Sequence, residues 1–149
     1  MSNILVQNIK HTNNTTAIEI NSSAQMAVKS DGGATTTSLQ QGLAKAWISL
    51  NGTGTIATRG SFNVASIADE GTGAYQTNLT SATADANYAV TGSAGDTGTA
   101  SGCWHTTGFN ANSYNTSNTT SSFHQQIYYA TSNVADVSYV YASLNGDLA

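Results

Sequence analysis

Proline is absent from these 149 residues, cysteine occurs once, and only 8% of the chain carries a formal charge. Without proline, every reversal of the chain must be set by Gly, Asn, Asp or Ser. The lone Cys103 forbids an intrachain disulfide and leaves the redox compartment open. The four cations, Lys10, Lys29, Lys45 and Arg59, are too few and too scattered to follow a phosphate backbone, which excludes nucleic acid as an expected partner. No apolar run approaches membrane-spanning length, and the N-terminal MSNILVQNIK has no signal-peptide core. A soluble protein made in a cytoplasm, without membrane insertion, is expected.

Aliphatic side chains are scarce as well. Leu, Ile, Val and Phe make up fewer than one residue in five, whereas Thr, Ser and Asn exceed a third of the chain. Such a composition lies close to that of disordered chains. Two features oppose disorder: a net charge of only −4 gives little self-repulsion, and seven Tyr with two Trp supply large apolar area. The length fits one domain with an appended arm. So little hydrocarbon would offset the ordering entropy poorly within one chain, so burial between subunits, in an obligate homo-oligomer, is the expected remedy.

What is present is a succession of short alternations separated by turn residues. Ala46–Leu50, Phe62–Ile67 and Asn87–Val90 read as strands. Asn51-Gly52-Thr53-Gly54, Asp69-Glu70-Gly71-Thr72-Gly73 and Asp85-Ala86-Asn87 read as their connections. Two later runs, Phe123–Ala130 and Val137–Leu144, read as further strands, the second with Val137, Tyr139 and Tyr141 on one face. Near the N-terminus, Asn3–Lys10, Thr16–Ile20 and Gln25–Lys29 are extended, with Ile18 and Ile20 sharing a face. The spacing predicts an all-β protein: an antiparallel β-sandwich over residues 43–149, a linker over 31–42 and a short β arm over 1–30. An arm of this kind is not stable alone. Residues 40–47 could nucleate a helical turn, weakened by Gly42.

Candidate chemistry is thin. Cys103 and His105 share a strand face, but no second pair with ligand spacing exists, so no metal is expected from local sequence. Three copies of His11 or of His124 on a threefold axis are the remaining metal option. Serines are plentiful without a nucleophile elbow, and Asp31, Asp69, Glu70, Asp96 and Asp147 sit beside glycines in turns, where backbone geometry explains them. Neither calcium nor phosphate loops are complete. The expectation is a non-enzymatic protein without cofactor. What remains is recognition: the polar stretch 93–122 embeds rigid aromatics among Ser, Thr, Asn and Gly, a mixture suited to binding loops and to sugar rings. Trp104, His105, Phe109, Asn110 and Tyr114 are its candidate contacts, although Trp104 reads slightly better as a core residue and Phe109 and Tyr114 read equally well as core.

The block from Leu43 to Val90 resembles a module of bacteriophage tail-fibre and related virion proteins, common in marine and cyanobacterial phages. The matching elements are Ala44–Gly54, Ser61–Ile67, Gly71–Tyr75 and Asp85–Val90, with Asp136–Tyr141 and Gly146-Asp147 similar to its closing strand. Val6–Asn13 and Thr15–Ser23 resemble a segment that often precedes the module. Only residues 93–122 match poorly. The resemblance implies a homotrimeric β-rich protein at the virion surface and transfers no catalytic residue. Two roles follow as expectations. One is host attachment, with a glycan receptor. The other is decoration or cementing of the capsid. In either, Ile4, Val6, Ile9, Ile18 and Ile20 of the arm would dock onto another virion protein, of the capsid or tail, or onto neighbouring subunits.

Overall fold

In the computed structural model, thirteen strands and one helical turn are assigned among the described residues, which are 8–10, 16–20, 26–29, 36–96, 103–107, 118–129 and 133–149. The chain divides into two units, Met1–Leu43 and Ala44–Ala149.

The first unit is a single antiparallel sheet of β1 (Asn8–Lys10), β2 (Thr16–Ile20), β3 (Met26–Lys29) and β4 (Thr36–Ser38), in that order, followed by α1 (Leu39–Gly42). Part of the stretch expected to link the arm to the sandwich is therefore paired, because Thr36–Ser38 hydrogen-bonds along β3. Register puts Ile9 opposite Ile18, Ile18 opposite Val28, and Ile20 opposite Met26. Directly opposed residues share a face, so these five side chains form one aliphatic surface. Four of them are half-buried and Ile9 is exposed. Glu19 and Ala27 oppose one another on the other face.

The second unit holds two antiparallel sheets. One consists of β5 (Ala46–Asn51), β6 (Ala57–Phe62), β9 (Ala89–Gly95) and β13 (Tyr139–Asn145), ordered β6-β5-β13-β9. The other consists of β7 (Val64–Gly71), β8 (Ala74–Leu79), β10 (Cys103–Thr107) and β11 (Ser122–Tyr129), ordered β10-β11-β8-β7, with β12 (Asn133–Val134) added to β11. Alternation aims Ala46, Ile48 and Leu50 of β5, and Val140, Ala142 and Leu144 of β13, into a shared core. Tyr75 and Leu79 of β8, with Phe123 and Ile127 of β11, face them from the second sheet. The all-β, sandwich-like arrangement follows from this common core.

Two sequence expectations change. Phe62–Ile67 is not one strand: it breaks at Asn63, which has φ 56° and passes the chain from β6 in one sheet to β7 in the other. Asn tolerates this left-handed conformation because its amide finds local partners. Here Nδ2 donates to the carbonyls of Lys45 and Ser81, and Oδ1 accepts from the Ser81 N–H at 2.7 Å. Likewise Val137 does not share a face with Tyr139 and Tyr141. It lies before β13 and is buried in the core, where its carbonyl accepts from the Gly52 N–H, while both tyrosines point outward.

The connections use the residues that the sequence marked. Across the β5–β6 turn Asn51 Nδ2 donates to the Thr53 carbonyl and the Thr53 hydroxyl donates to Asn51 Oδ1, and Asp85 accepts from the Asn87 N–H at 2.7 Å. Gly73 is obligatory: φ is 66°, and a Cβ there would lie 2.7 Å from the Ile127 carbonyl oxygen and 2.8 Å from that of Ala135.

Candidate binding face

The sheet β6-β5-β13-β9 turns an unusual outer face to solvent. Because Ile48 and Leu50 point inward, their neighbours Trp47 and Ser49 point out; because Val140 and Ala142 point inward, Tyr139, Tyr141 and Ser143 point out. Trp47 is 43% exposed, Tyr141 42% and Phe62 52%, although each is a large apolar side chain. Register fixes their arrangement. One row across the sheet reads Phe62, Trp47, Ser143, Thr91, and the next reads Gly60, Ser49, Tyr141, Ser93. In the four central positions, on β5 and β13, rings and hydroxyls alternate, with Trp47 diagonal to Tyr141 and Ser49 diagonal to Ser143. Side chains related in this way lie roughly 7–8 Å apart.

An open groove of about 570 Å³ follows this face, lined by Trp47, Ser49, Thr91, Ser93, Tyr141 and Ser143 together with Ile48, Gly92 and Ala142. No lining residue carries a charge. Beyond Tyr141, Tyr139 stacks on it with ring centroids 6.3 Å apart and planes 13° from parallel. The Arg59 guanidinium lies over the Tyr139 ring, 4.4 Å from its centroid, and donates to the carbonyls of Leu50 (3.1 Å) and Ser138 and to Asn51 Oδ1 (3.3 Å). Ser138 in turn donates to Asp96. This network holds Tyr139 in place, and Tyr139 supports Tyr141.

The opposite sheet behaves differently. His124 and Gln126 of β11 are buried on the face turned away from the core, at 4% and 1% exposure. His124 Nδ1 lies 3.0 Å from Glu70 Oε2, and Gln126 Nε2 donates to the Gly73 carbonyl at 3.0 Å. Within the core, Gln125 Nε2 donates to Thr77 Oγ1 at 2.9 Å. Among the described residues every buried side-chain nitrogen and oxygen has a partner. Tyr75 shares its hydroxyl proton between Gly52 O (3.2 Å) and Asp136 Oδ1 (3.1 Å), and Asp136 also accepts from the Gly73 N–H at 2.7 Å. Burial, reinforced by the Asp136 charge, raises the Tyr75 pKa well above that of an ordinary phenol. Tyr88, hydrogen-bonded to the carbonyls of Thr119 and Ser122, is pushed up to about 12 by burial.

The residues singled out from sequence fall unevenly. The backbone of Trp104 and His105 lies in β10, which pairs with β11 and passes beside β9, the strand that borders the groove. Their side chains, and Phe109, Asn110 and Tyr114 entirely, lie outside the described residues. His11, Ile4 and Val6 lie outside them too, whereas Ile9, Ile18 and Ile20 meet on the aliphatic face of the first unit. His124 is occupied within its own chain by Glu70. Among the described residues no group of three or more His, Cys, Asp or Glu side chains converges. Sequence reasoning missed the Trp47–Tyr141 face; its signal was the parity of Trp47 against Ala46, Ile48 and Leu50. Comparison with protein-family models, with curated proteins and with solved structures finds no match.

Proposed function

We propose that this chain is a non-enzymatic surface module of a bacteriophage virion, assembled as a homotrimer, that attaches the particle to a host-surface glycan. The observation that carries the reading is the outward aromatic face: Trp47, Phe62 and Tyr141 stand exposed beside an uncharged groove edged by serine and threonine hydroxyls. Large aromatic rings clustered on the outer face of a sheet, away from the core beneath it, support a recognition surface. The virion setting rests on the resemblance of Ala44–Gly54, Ser61–Ile67 and Asp85–Val90 to tail-fibre modules. Trimerisation is supported by the small aliphatic content and by the Ile9, Ile18, Ile20, Met26 and Val28 face, which further copies would cover.

That same aliphatic face favours a second reading, a trimeric capsid decoration or cement protein whose arm clamps another virion structural protein. Purified particles separate the two. Attachment predicts a few copies per particle and isolated protein that blocks phage adsorption to its host. Stoichiometry with the major capsid protein, together with rupture of particles lacking the chain, would reject attachment in favour of cement.

A further inference from the structure

The groove has a chemistry that narrows its ligand beyond "glycan", and the narrowing rests on the attachment reading only for its biological setting. Trp47 and Tyr141 offer two π faces at diagonal corners, and Ser49, Ser143, Thr91 and Ser93 occupy the adjoining positions of the same two rows. Each hydroxyl can both donate and accept a hydrogen bond. A sugar ring has the complementary construction: a rim of hydroxyls that donate and accept, and a face of C–H groups, positive against the negative face of an aromatic ring. That face is continuous only where the ring hydroxyls are mostly equatorial.

Charge narrows the ligand further. The lining contains no Lys, Arg or His to meet a carboxylate or sulfate. The cation of this sheet, Arg59, is engaged by the Tyr139 ring and by the oxygens of Leu50, Ser138 and Asn51. Desolvating an anionic sugar against these walls would go uncompensated. The chain as a whole, at net charge −4, repels such a ligand at longer range.

A second copy of this chain is the rival occupant. The volume, about 570 Å³, matches small-ligand clefts, roughly 300–1,000 Å³. The composition disfavours a second copy, because serine is depleted in the cores of protein–protein interfaces. Three serines and a threonine edge this groove.

We propose that the groove over β5, β13 and β9 is a saccharide site selective for uncharged, equatorially substituted hexopyranose chains, stacked on Trp47 and Tyr141 and hydrogen-bonded by Ser49, Ser93, Ser143 and Thr91. The full-length protein is to be titrated calorimetrically with neutral gluco- and galacto-configured oligosaccharides, and with sialylated, sulfated and uronic-acid oligosaccharides. Neutral chains should bind, with an affinity little changed when salt is raised several-fold, since no ion pair is involved. Trp47→Ala and Tyr141→Ala should each weaken binding about tenfold or more, whereas Tyr88→Phe, whose hydroxyl is bonded to Thr119 and Ser122 outside the groove lining, should leave it unchanged. Preference for the acidic series, no binding of either series at millimolar concentration, or full binding by Trp47→Ala would each overturn the site. So would dissociation of the assembly by Trp47→Ala in sedimentation, since the groove would then be a contact between copies. Circular dichroism of each variant controls for folding. Adsorption assays keep the two inferences apart. If Trp47→Ala protein still blocks adsorption, the groove fails as the saccharide site while attachment stands. If wild-type protein binds neutral saccharides but does not block adsorption, attachment fails while the groove stands.

Discussion

The two sheets of the second unit invert the usual rule of polar outside and apolar inside, and they do so in opposite directions. On β5 and β13 the outward positions carry exposed rings, Trp47 and Tyr141, beside half-buried serines. On β11 the positions turned away from the core carry His124 and Gln126, and these are buried. The buried polar groups are hydrogen-bonded, to Glu70 and to the Gly73 carbonyl, so their burial need not destabilise the fold. The exposed rings have no such internal account. The difference teaches that polarity alone does not separate scaffold from surface. Satisfaction does: what is buried and bonded holds the sandwich, and what is apolar and left in water is available to a ligand.

The sharpest way to break this contrast is to cut the scaffold. Phe123 is wholly buried between the sheets, and Phe123→Ala should cost about 3–5 kcal/mol in urea denaturation, through lost transfer energy and the cavity left behind. A cost below about 1 kcal/mol would mean that the two sheets do not share the core that joins Phe123 to Ile48 and Leu144. Next in size is Tyr75→Phe, which keeps the ring and deletes the hydroxyl bonded to Gly52 and Asp136. Leaving the buried Gly52 carbonyl a partner short, while Asp136 is exposed and can turn to water, should cost about 1–3 kcal/mol, measured in the same way. A neutral result would place water at that junction.

Much of the scaffold was legible in the residues themselves. Ala46-Trp47-Ile48-Ser49-Leu50 alternates plainly, and Asn51, Gly54, Gly73 and Asp85 carry the side chains or the backbone freedom that their turns require. The change of sheet at Asn63 was not legible. Phe62 and Val64 are both good strand residues, and only the long-range hydrogen bonds to Lys45 and Ser81 make a corner between them. The site was legible as parity but not as a site. Alternation tells that Trp47 and Ile48 face opposite ways; it does not tell which of two apolar faces the second sheet will cover. The same blindness hid the burial of both faces of β11, since His124 and Gln126 meet Glu70 and Gly73 across more than fifty residues of chain.

A smaller effect should appear at alkaline pH. The ordinary phenol value is 10.0, and burial pushes Tyr88 up to about 12 in the folded chain. The raised value means that the unfolded chain gives up this proton first. The stability linked to Tyr88 is therefore complete below about pH 10 and lost as pH rises toward about 12. Tyr75 shifts in the same direction, so the two add. Thermal melts across that window should fall in Tm for the wild type and less steeply for Tyr88→Phe. Equal slopes would show that the Tyr88 hydroxyl is already in water rather than bonded to Thr119 and Ser122.

The smallest expected change is the one that bears most on the contrast between the sheets. Trp47 packs its ring edge near Gly60, and it stands directly opposite Phe62, but 43% of it remains exposed. Truncating it removes contacts without opening an enclosed cavity, because water can occupy the space. Trp47→Ala should therefore cost about 1 kcal/mol or less in urea denaturation, several-fold below Phe123→Ala despite the larger ring. Tyr141→Ala should behave alike, with any excess traceable to its stack on Tyr139. If instead Trp47→Ala costs as much as Phe123→Ala, and the cost grows as protein concentration rises, the rings belong to a contact between copies. Loss of saccharide binding at nearly unchanged stability would assign them to recognition, because residues that hold a fold together do not leave it intact when removed.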